Sequence, residues 1–248
     1  MTGYQDHFSS RSTGYAAFRP TYPAALFEWL GAIAPDRDLV WDCATGSGQA
    51  AAGLAAVFRR VIATDASEAQ IANAKPLPNV EYRVARAESS GLPDQVADLI
   101  TVAQALHWID RPSFYAEARR VGRPGAILAV WMYHLARVDP AINQLLERFF
   151  SDKVGAYWPG ERSIVEQRYQ TIEFPPEEIA APPFEMELAW TVGQMLGYLR
   201  TWSAVTRYVA HRGHDPVTEV ESELTAMWGG SSVSRRVRWP HALRVAKL

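Results

Sequence analysis

The stretch VWDCATGSGQAAAG, residues 40–53, places a strand, a glycine turn and the start of a helix in direct succession. Its first residues are apolar up to Asp42, glycines follow at positions 46 and 48, and an alanine-rich segment comes next. In an open α/β sheet, a turn of this kind lies at the carboxyl end of the first strand, where ligands bind. Glycine permits positive φ and a close approach of the backbone to a ligand. The stretch therefore predicts an α/β fold with a ligand site at this turn.

Further strand-like runs repeat around this stretch. They cover residues 39–43, 60–65, 80–85, 98–103 and 126–131, and the four intervals between them are long enough for helices. FEMELAW at 184–190 alternates like a strand, and the tail 235–248 supplies a final one. The alternation predicts a Rossmann-like, doubly wound, mainly parallel seven-stranded sheet with helices on both faces.

The pattern changes after Trp131, where a C-terminal helical insertion or cap is predicted. A first helix is expected after Pro23, and later segments read as a helix at 139–154, an irregular lid at 155–183 and a helix at 191–209. We predict a single domain over residues 1–248. Its core covers about 20–135 plus the final strands, and 136–230 contain a cap or insertion over the active site.

The overall composition favours a small-molecule substrate. Lys and Arg number 25 against 27 acids, so bulk electrostatic attraction to nucleic acid is not expected. The basic cluster Arg235, Arg236 and Arg238 is interpreted as charge on an edge strand. The single cysteine, Cys43, excludes a disulfide framework, and we expect a small core residue there and no metal. With no apolar run of about 20 residues and no signal peptide, we expect a cytoplasmic monomer or homodimer without membrane contact.

Two cofactor classes compete for the glycine turn. GSGQAA at 46–51 fits the G-x-G-x-x-G/A pattern of dinucleotide-binding proteins, and Asp65 lies about 20 residues further on. Asp42 argues against that assignment, because an acid just before the turn opposes a pyrophosphate. S-adenosylmethionine carries a sulfonium and an ammonium group, and Asp65 can accept hydrogen bonds from both of its ribose hydroxyls. An NAD-dependent oxidoreductase remains the alternative.

The segment DCATGSG resembles the first motif of class I S-adenosylmethionine-dependent methyltransferases, D/E-x-G-x-G-x-G. Ala44 replaces the first glycine, from which we expect that this position need not take positive φ. RVARAESSGLPDQVADLITVAQALHWID and FSSRSTGYAAFRPTYP resemble the branch that includes trans-aconitate methyltransferase-like proteins. The resemblance covers about residues 8–131 and is specific for the cofactor rather than for the substrate.

The resemblance implies a set of cofactor contacts, with S-adenosylhomocysteine as the product. Ala44, Gly46 and Gly48 lie against the methionyl part, with Asp42 behind the loop or near the ammonium group. Asp65 binds the ribose, and Ala66 lies against the adenine. The adenine amino group is recognised at Ala87 or Glu88. Arg19 pairs with the methionine carboxylate, and Gln104 lies beside the sulfonium.

His107 and Trp108 follow the fourth strand and are implied to lie beside the sulfonium as well. His107 is the candidate general base, since histidine titrates near neutral pH. Simple lining of the pocket is the competing role. Methyl transfer to an acceptor that is already ionised needs alignment and desolvation more than removal of a proton.

The methyl acceptor is predicted from the trans-aconitate branch to be a small carboxylic acid that is O-methylated. C- or N-methylation of a small molecule is the close rival, and a non-catalytic cofactor-binding protein is a further alternative. Arg200 is the candidate to hold the acid, with Trp202 as a wall and Trp131 and Tyr133 facing it. Tryptophans at 108, 131, 158 and 202 could enclose the reacting centre.

Overall fold

The computed structural model of the protein describes residues 20–248. Within them one sheet contains seven strands, numbered β1 to β7 along the chain. Their bounds are Leu39–Cys43, Arg60–Asp65, Val80–Val84, Ala97–Ala103, Gly122–Tyr133, Glu185–Thr191 and Ser234–Lys247. The order is β3-β2-β1-β4-β5-β7-β6, with β1 to β5 parallel and β7 antiparallel to both of its neighbours. The predicted mainly parallel Rossmann-like sheet is confirmed.

The α-helices of the described residues are numbered α1 to α9. Their bounds are Ala24–Ile33, Gln49–Leu54, Glu68–Ala72, Arg111–Val121, Pro140–Arg148, Arg162–Glu166, Val192–Arg200, Ser203–Arg212 and Thr218–Trp228. Helix α1 begins directly after Pro23, as predicted. Helices α2, α3 and α4 connect successive parallel strands, but residues 85–96 between β3 and β4 form no helix. Gly91 takes a positive φ of 70° in this interval, which a continuous helix does not allow.

The central strands are buried because helices cover both faces of the sheet. All residues of β1 are buried, and six of the seven residues of β4 are as well. One apolar cluster surrounds Trp41 and Phe114 on one face, and another surrounds Leu30 and Leu54 on the other. Cys43 is fully buried in the first cluster, which confirms it as a small core residue.

The chain after β5 builds a third apolar cluster. Helix α5 begins after Asp139, whose carboxylate accepts a hydrogen bond from the Ile142 amide at 2.9 Å, and a π-helical turn, Phe149–Lys153, continues it. The helix predicted over 191–209 is two helices, α7 and α8. They separate at Trp202, whose backbone is extended (ψ 136°) and whose buried ring packs 6.0 Å from that of Phe149.

The basic cluster at the start of β7 does not lie on an edge strand, which corrects the prediction. Strand β7 lies between β5 and β6. Two of its arginines have acidic partners: Arg235 pairs with Asp139 at 2.6 Å and Arg236 with Glu187 at 3.2 Å. None of the helices within residues 20–248 combines the length and apolar character needed to cross a membrane.

Candidate functional site

The turn after β1 is held in a left-handed backbone conformation at three residues. Ala44 has φ 53°, Gly46 has φ 58° and Gly48 has φ 85°. The expectation that Ala44 need not take positive φ is therefore wrong. The next residue, Thr45, donates its amide to the Thr64 carbonyl at 2.9 Å, so the turn stays bonded to β2. A left-handed alanine costs about 1–2 kcal/mol, which the surrounding bonds offset.

Asp42 lies behind this turn. Its buried carboxylate accepts hydrogen bonds from the hydroxyls of Thr45 at 2.5 Å and Thr101 at 2.6 Å. Burial is the main cause that raises its pKa to about 6, and the two hydroxyl bonds oppose that shift. Of the two predicted positions, the structure favours the one behind the loop, where Asp42 ties the turn to β4.

Asp65, at the end of β2, lies directly against the turn. Its Oδ2 accepts a hydrogen bond from the Gly46 amide at 2.9 Å, and its Oδ1 accepts one from the Ser67 amide at 2.8 Å. A carboxylate has about four acceptor positions, so a carboxylate that holds a turn can in general also accept bonds from a ligand, and ribose binding by Asp65 stays a prediction. Among residues 20–248, only the Gln70 side-chain oxygen approaches the position of a Gly46 Cβ within 4 Å, at 3.9 Å. Within this part of the chain, that side of the turn has space for a ligand.

The predicted adenine-side residues surround the same edge of the sheet. Ala66 follows β2 and is half-buried, and Ala87 packs beside the apolar cluster under β4. The Glu88 carboxylate accepts a hydrogen bond from the Asp110 amide at 3.4 Å and lies 3.4 Å from Arg86 Nε. Glu88 is thus anchored at the start of α4. Arg19 lies outside the described residues.

Gln104 directly follows β4 and fixes the end of that strand to β5. Its amide donates to the Trp131 carbonyl at 2.8 Å, and its side-chain Nε2 donates to the Tyr133 carbonyl at 3.1 Å. Its φ is 59°, a conformation that is uncommon for residues other than glycine. Gln104 therefore shapes the crevice between β4 and β5, and its predicted contact with the cofactor remains a prediction.

His107 lies in a single 3₁₀ turn, Leu106–Trp108, that follows β4. It is buried, its Nδ1 lies 2.8 Å from the Tyr169 hydroxyl, and its ring lies 4.8 Å from that of half-buried Trp108. Burial and then the positive charges of Arg162 and Arg111 lower its pKa to about 3. A histidine with that pKa is a weak base, so the geometry favours lining of the pocket over proton removal.

Two predicted acceptor residues are placed differently by the structure. The Arg200 guanidinium donates to Asp215 at 2.7 Å and to Glu221 at 3.1 Å. These two acids of the chain compete with the predicted contact to an acceptor, which stays a prediction. Trp131 is fully buried and packs its ring 5.5 Å from Tyr22 in a different apolar cluster from Trp202.

Tyr133 and Trp202 belong to one apolar cluster, and their predicted contact with the acceptor stays a prediction. Four other residues of this region had not been identified from the sequence: His134, Phe150, Arg162 and Tyr169. The Phe150 ring lies 5.0 Å from that of His134, 4.8 Å from that of Trp158 and 6.0 Å from that of Trp202. No periodic pattern could have found Arg162 and Tyr169, because both lie in the irregular segment 155–183. The recurrence of aromatic residues near its prolines was the available signal.

The buried histidines make stability depend on pH. Burial is the main cause that lowers the pKa of His107 and His134 to about 3 and of His241 to about 4. An unfolded histidine has a pKa of about 6.5, so between about pH 6.5 and 4 the unfolded chain binds protons that the folded chain does not. The raised pKa of Asp42 makes the folded chain bind a proton more readily, which stabilises it as the pH falls. This is one group, whereas three histidines destabilise the folded chain over the same range.

We therefore expect the melting temperature to fall from pH 7 to pH 5. Circular dichroism of the wild type and His241→Gln at both values measures the effect. The variant should lose less of its melting temperature, because a glutamine does not titrate in this range. An equal fall in both proteins would contradict the contribution of His241.

Comparisons with known proteins agree on one family. The Methyltransferase domain family matches residues 41–130. A protein of Dictyostelium discoideum assigned as a methyltransferase is 34% identical over 227 residues, covering 90% of this chain and 86% of its own. A solved structure from Anaeromyxobacter dehalogenans, named as a type II methyltransferase, is 48% identical with a TM-score of 0.88, covering 92% of this chain and 97% of its own.

A more distant solved structure shares the fold alone. It is a Haemonchus contortus phosphoethanolamine N-methyltransferase in complex with phosphomonomethylethanolamine and S-adenosylhomocysteine. Its TM-score is 0.50 at 14% identity, over 100% of this chain and 60% of its own.

Proposed function

The chain belongs to the class I family of S-adenosylmethionine-dependent methyltransferases, and from that membership we propose that it methylates the carboxylate of a small organic acid. S-adenosylmethionine is its cofactor. Because the family is assigned, we set aside the alternative of an NAD-dependent oxidoreductase. The turn fits this group, since it combines space beside Gly46 with the Asp65 carboxylate at its wall. Gly46, Gly48 and Asp65 are the residues that would hold it. When bound, the cofactor supplies an electrophilic methyl group, so that methylation of a carboxylate forms one O–C bond, breaks one C–S bond and releases no proton.

The protonation state of the histidines supports a carboxylate acceptor. His107 follows β4 and His134 follows β5, and the pKa of each is lowered to about 3. Neither removes a proton efficiently from an alcohol or an ammonium group, because a general base acts best with a pKa near the working pH. A carboxylate is already ionised at neutral pH and needs no base.

The aromatic surroundings support a small and partly apolar acceptor. The rings of Trp158, Trp202 and Phe150 pack together in the apolar cluster that also contains Tyr133, the last residue of β5. Such rings exclude water, which strengthens electrostatic interactions and prevents side reactions. We further propose that residues 136–230 form a cap over the active site. We also propose that the protein is cytoplasmic and that its substrate is a small molecule rather than nucleic acid.

Methyl transfer to a panel of small molecules tests the proposal. The protein is incubated with methyl-labelled S-adenosylmethionine and with aliphatic or aromatic acids, amines or phenols, and each product is treated with base. We expect labelled product from an acid only, and we expect base to release labelled methanol from it, as from an ester. Base-stable label on an amine or on carbon would assign N- or C-methylation instead.

His107→Gln separates lining of the pocket from base catalysis. We expect the pH profile of kcat/KM to keep its shape in the variant, because a group with a pKa of about 3 does not titrate in the working range. A general base contributes about 10²- to 10⁴-fold, so a loss of that size together with a changed acidic limb would establish base catalysis. The melting temperature serves as the control, since the bond to Tyr169 is altered as well.

A further inference from the structure

A pocket of about 520 Å³ lies beside the second half of β7. Three parts of the chain line it: residues 241–244 of β7, residues 181–184, and Arg168, Gln170 and Glu178 of the segment before them. Sites for small molecules typically measure about 300–1,000 Å³ and combine apolar walls with a few polar groups. Two prolines, Phe184 and Leu243 supply apolar walls here, so both the size and the lining suit a small molecule.

The pocket is open because the chain leaves β7 between two hydrogen bonds. At one end, the Ile179 amide donates to the Val245 carbonyl at 2.8 Å. At the other end, the His241 amide donates to the Phe184 carbonyl at 2.9 Å. Residues 180–183 between them include two prolines, which have no N–H to donate to a strand. The edge of β7 between the two bonds therefore faces the pocket.

Leu243 directs its backbone N–H and C=O toward this pocket. In an antiparallel pairing, alternate residues turn their backbone groups to opposite neighbours. His241 and Val245 bond to the segment 177–184, so Leu243, which lies between them, turns its groups to the same side. Within residues 20–248, no backbone hydrogen bond joins either group of Leu243 to that segment. The pocket wall thus contains a backbone donor and a backbone acceptor that a ligand can use.

The side chain of His241 adds two polar atoms without a partner. It is 8% exposed, and neither Nδ1 nor Nε2 has a hydrogen-bond partner in the part of the chain that the structure describes. Burial lowers its pKa to about 4, so at pH 7 the ring is neutral and offers one N–H donor and one acceptor. Buried polar groups nearly always have a partner, so a ligand that supplies one is stabilised here.

The charged residues of the pocket favour an anion. Two arginines and one glutamate line it, which gives a net charge of +1. Glu178 and Arg244 pair with each other at 2.5 Å. Arg168 is exposed, and within residues 20–248 it forms no ion pair. One positive charge is therefore available to a ligand with a single negative charge.

We propose that this pocket binds a small carboxylic acid with an apolar body. The N–H groups of His241 and Leu243 donate to the carboxylate, and Arg168 supplies the opposite charge. The apolar body lies against the prolines of residues 180–183. A phosphate group carries about −1.5 to −2 near neutral pH, so it matches the single net charge of the pocket less well. The inference goes beyond the proposed function, because it does not require the bound acid to be the methyl acceptor.

Nuclear magnetic resonance tests the pocket directly in the full chain. The protein is labelled with ¹⁵N in leucine and histidine, and the Leu243 amide and His241 ring signals are followed. Hexanoate and benzoate are the probes, with hexanol as the uncharged comparison and inorganic phosphate as the other anion. We expect at least one of the two acids to shift both signals in a saturable way. Hexanol and phosphate should bind about tenfold more weakly or worse, because each lacks part of the match in charge or shape.

Two variants and a matched control identify the groups that bind the acid. Arg168→Met should weaken its affinity about tenfold or more, since a charge-assisted hydrogen bond is lost. His241→Phe should weaken it similarly, but without lowering the melting temperature, because two unpaired buried atoms are removed as well. Arg119→Met is the control: Arg119 is an exposed arginine of α4 that does not line the pocket. It should bind the acid like the wild type.

The outcomes decide the inference separately from methyl transfer. It is overturned if neither acid shifts the two signals, if Arg168→Met binds the acid like the wild type, or if hexanol or phosphate binds as tightly. If His241→Phe does not fold, Arg168→Met still carries the test, because that side chain is exposed. The titration involves no methyl group, so failure of the methylation panel leaves the pocket standing, and ester formation in the panel does not establish it.

Discussion

Replacing Gly48 with alanine is expected to destabilise the protein by about 2–5 kcal/mol and to weaken binding of S-adenosylhomocysteine. The cost has two parts. Gly48 has φ 85°, a conformation that costs an alanine about 1–2 kcal/mol. In addition, an alanine Cβ would lie 2.5 Å from the Tyr82 hydroxyl and 3.0 Å from its Cε1, so the ring would have to move, and overpacking adds about 1–3 kcal/mol.

Gly213→Ala isolates the first part. Gly213 has a similar φ of 77°, but apart from its chain neighbours no atom of residues 20–248 lies within 4 Å of the position of its missing Cβ. Urea unfolding of both variants should therefore show a clearly smaller loss for Gly213→Ala, and only Gly48→Ala should bind the cofactor product more weakly. Equal losses of stability would mean that Tyr82 moves aside freely. The tight packing between β3 and the turn would then be unimportant.

The second large effect is expected for Asp65→Ala. Its carboxylate accepts hydrogen bonds from the amides of Gly46 and Ser67, so its removal loosens the turn and deletes the predicted ribose acceptor. We expect binding of S-adenosylhomocysteine to weaken by about 1–3 kcal/mol, which is roughly 5- to 150-fold. Calorimetric titration measures it directly, and NAD as a parallel ligand should bind neither protein.

Asp94→Ala provides the control for Asp65→Ala. The Asp94 side chain is 73% exposed and pairs at the surface with Arg120. A surface pair of this kind contributes about 0–1 kcal/mol, so this variant should retain both its stability and its cofactor affinity. Unchanged affinity in Asp65→Ala would remove that residue from the cofactor site.

The sheet could be predicted because each of its strands can be recognised from its own run of residues in the sequence. The first two strands have the predicted bounds, 39–43 and 60–65, since apolar runs between turn residues mark buried strands. The fifth was predicted too short: it begins at Gly122, directly after α4, and contains Pro124 and Gly125, which weaken the strand pattern. Periodicity in the sequence predicts that a strand or helix exists more reliably than it predicts the residues at which that element begins and ends.

The acceptor side was predicted less well, because it depends on which side chains meet across the fold. Arg200 and Arg162 both lie in the predicted cap, 136–230. The sequence does not show that Asp215 and Glu221 pair with Arg200, or that the Arg162 guanidinium lies over the Trp158 ring. Likewise, Trp131 and Tyr133 belong to one strand, but the structure assigns them to different clusters. The cofactor side was easier, since strand ends meet at one edge in any doubly wound sheet.

The position of β7 has a consequence for how the chain folds during synthesis. Strand β6 has β7 as its only partner in the described sheet, through residues 234–240, and residues 241–247 of the same strand pair with β5. Strands β2 to β5 can pair as soon as they leave the ribosome, because each finds a neighbour among residues already made. Strand β6 must wait for β7, the last strand of the described sheet. The parallel strands that carry the predicted cofactor residues can therefore pair first, and β6 joins the sheet only after residues 234–240 have been made.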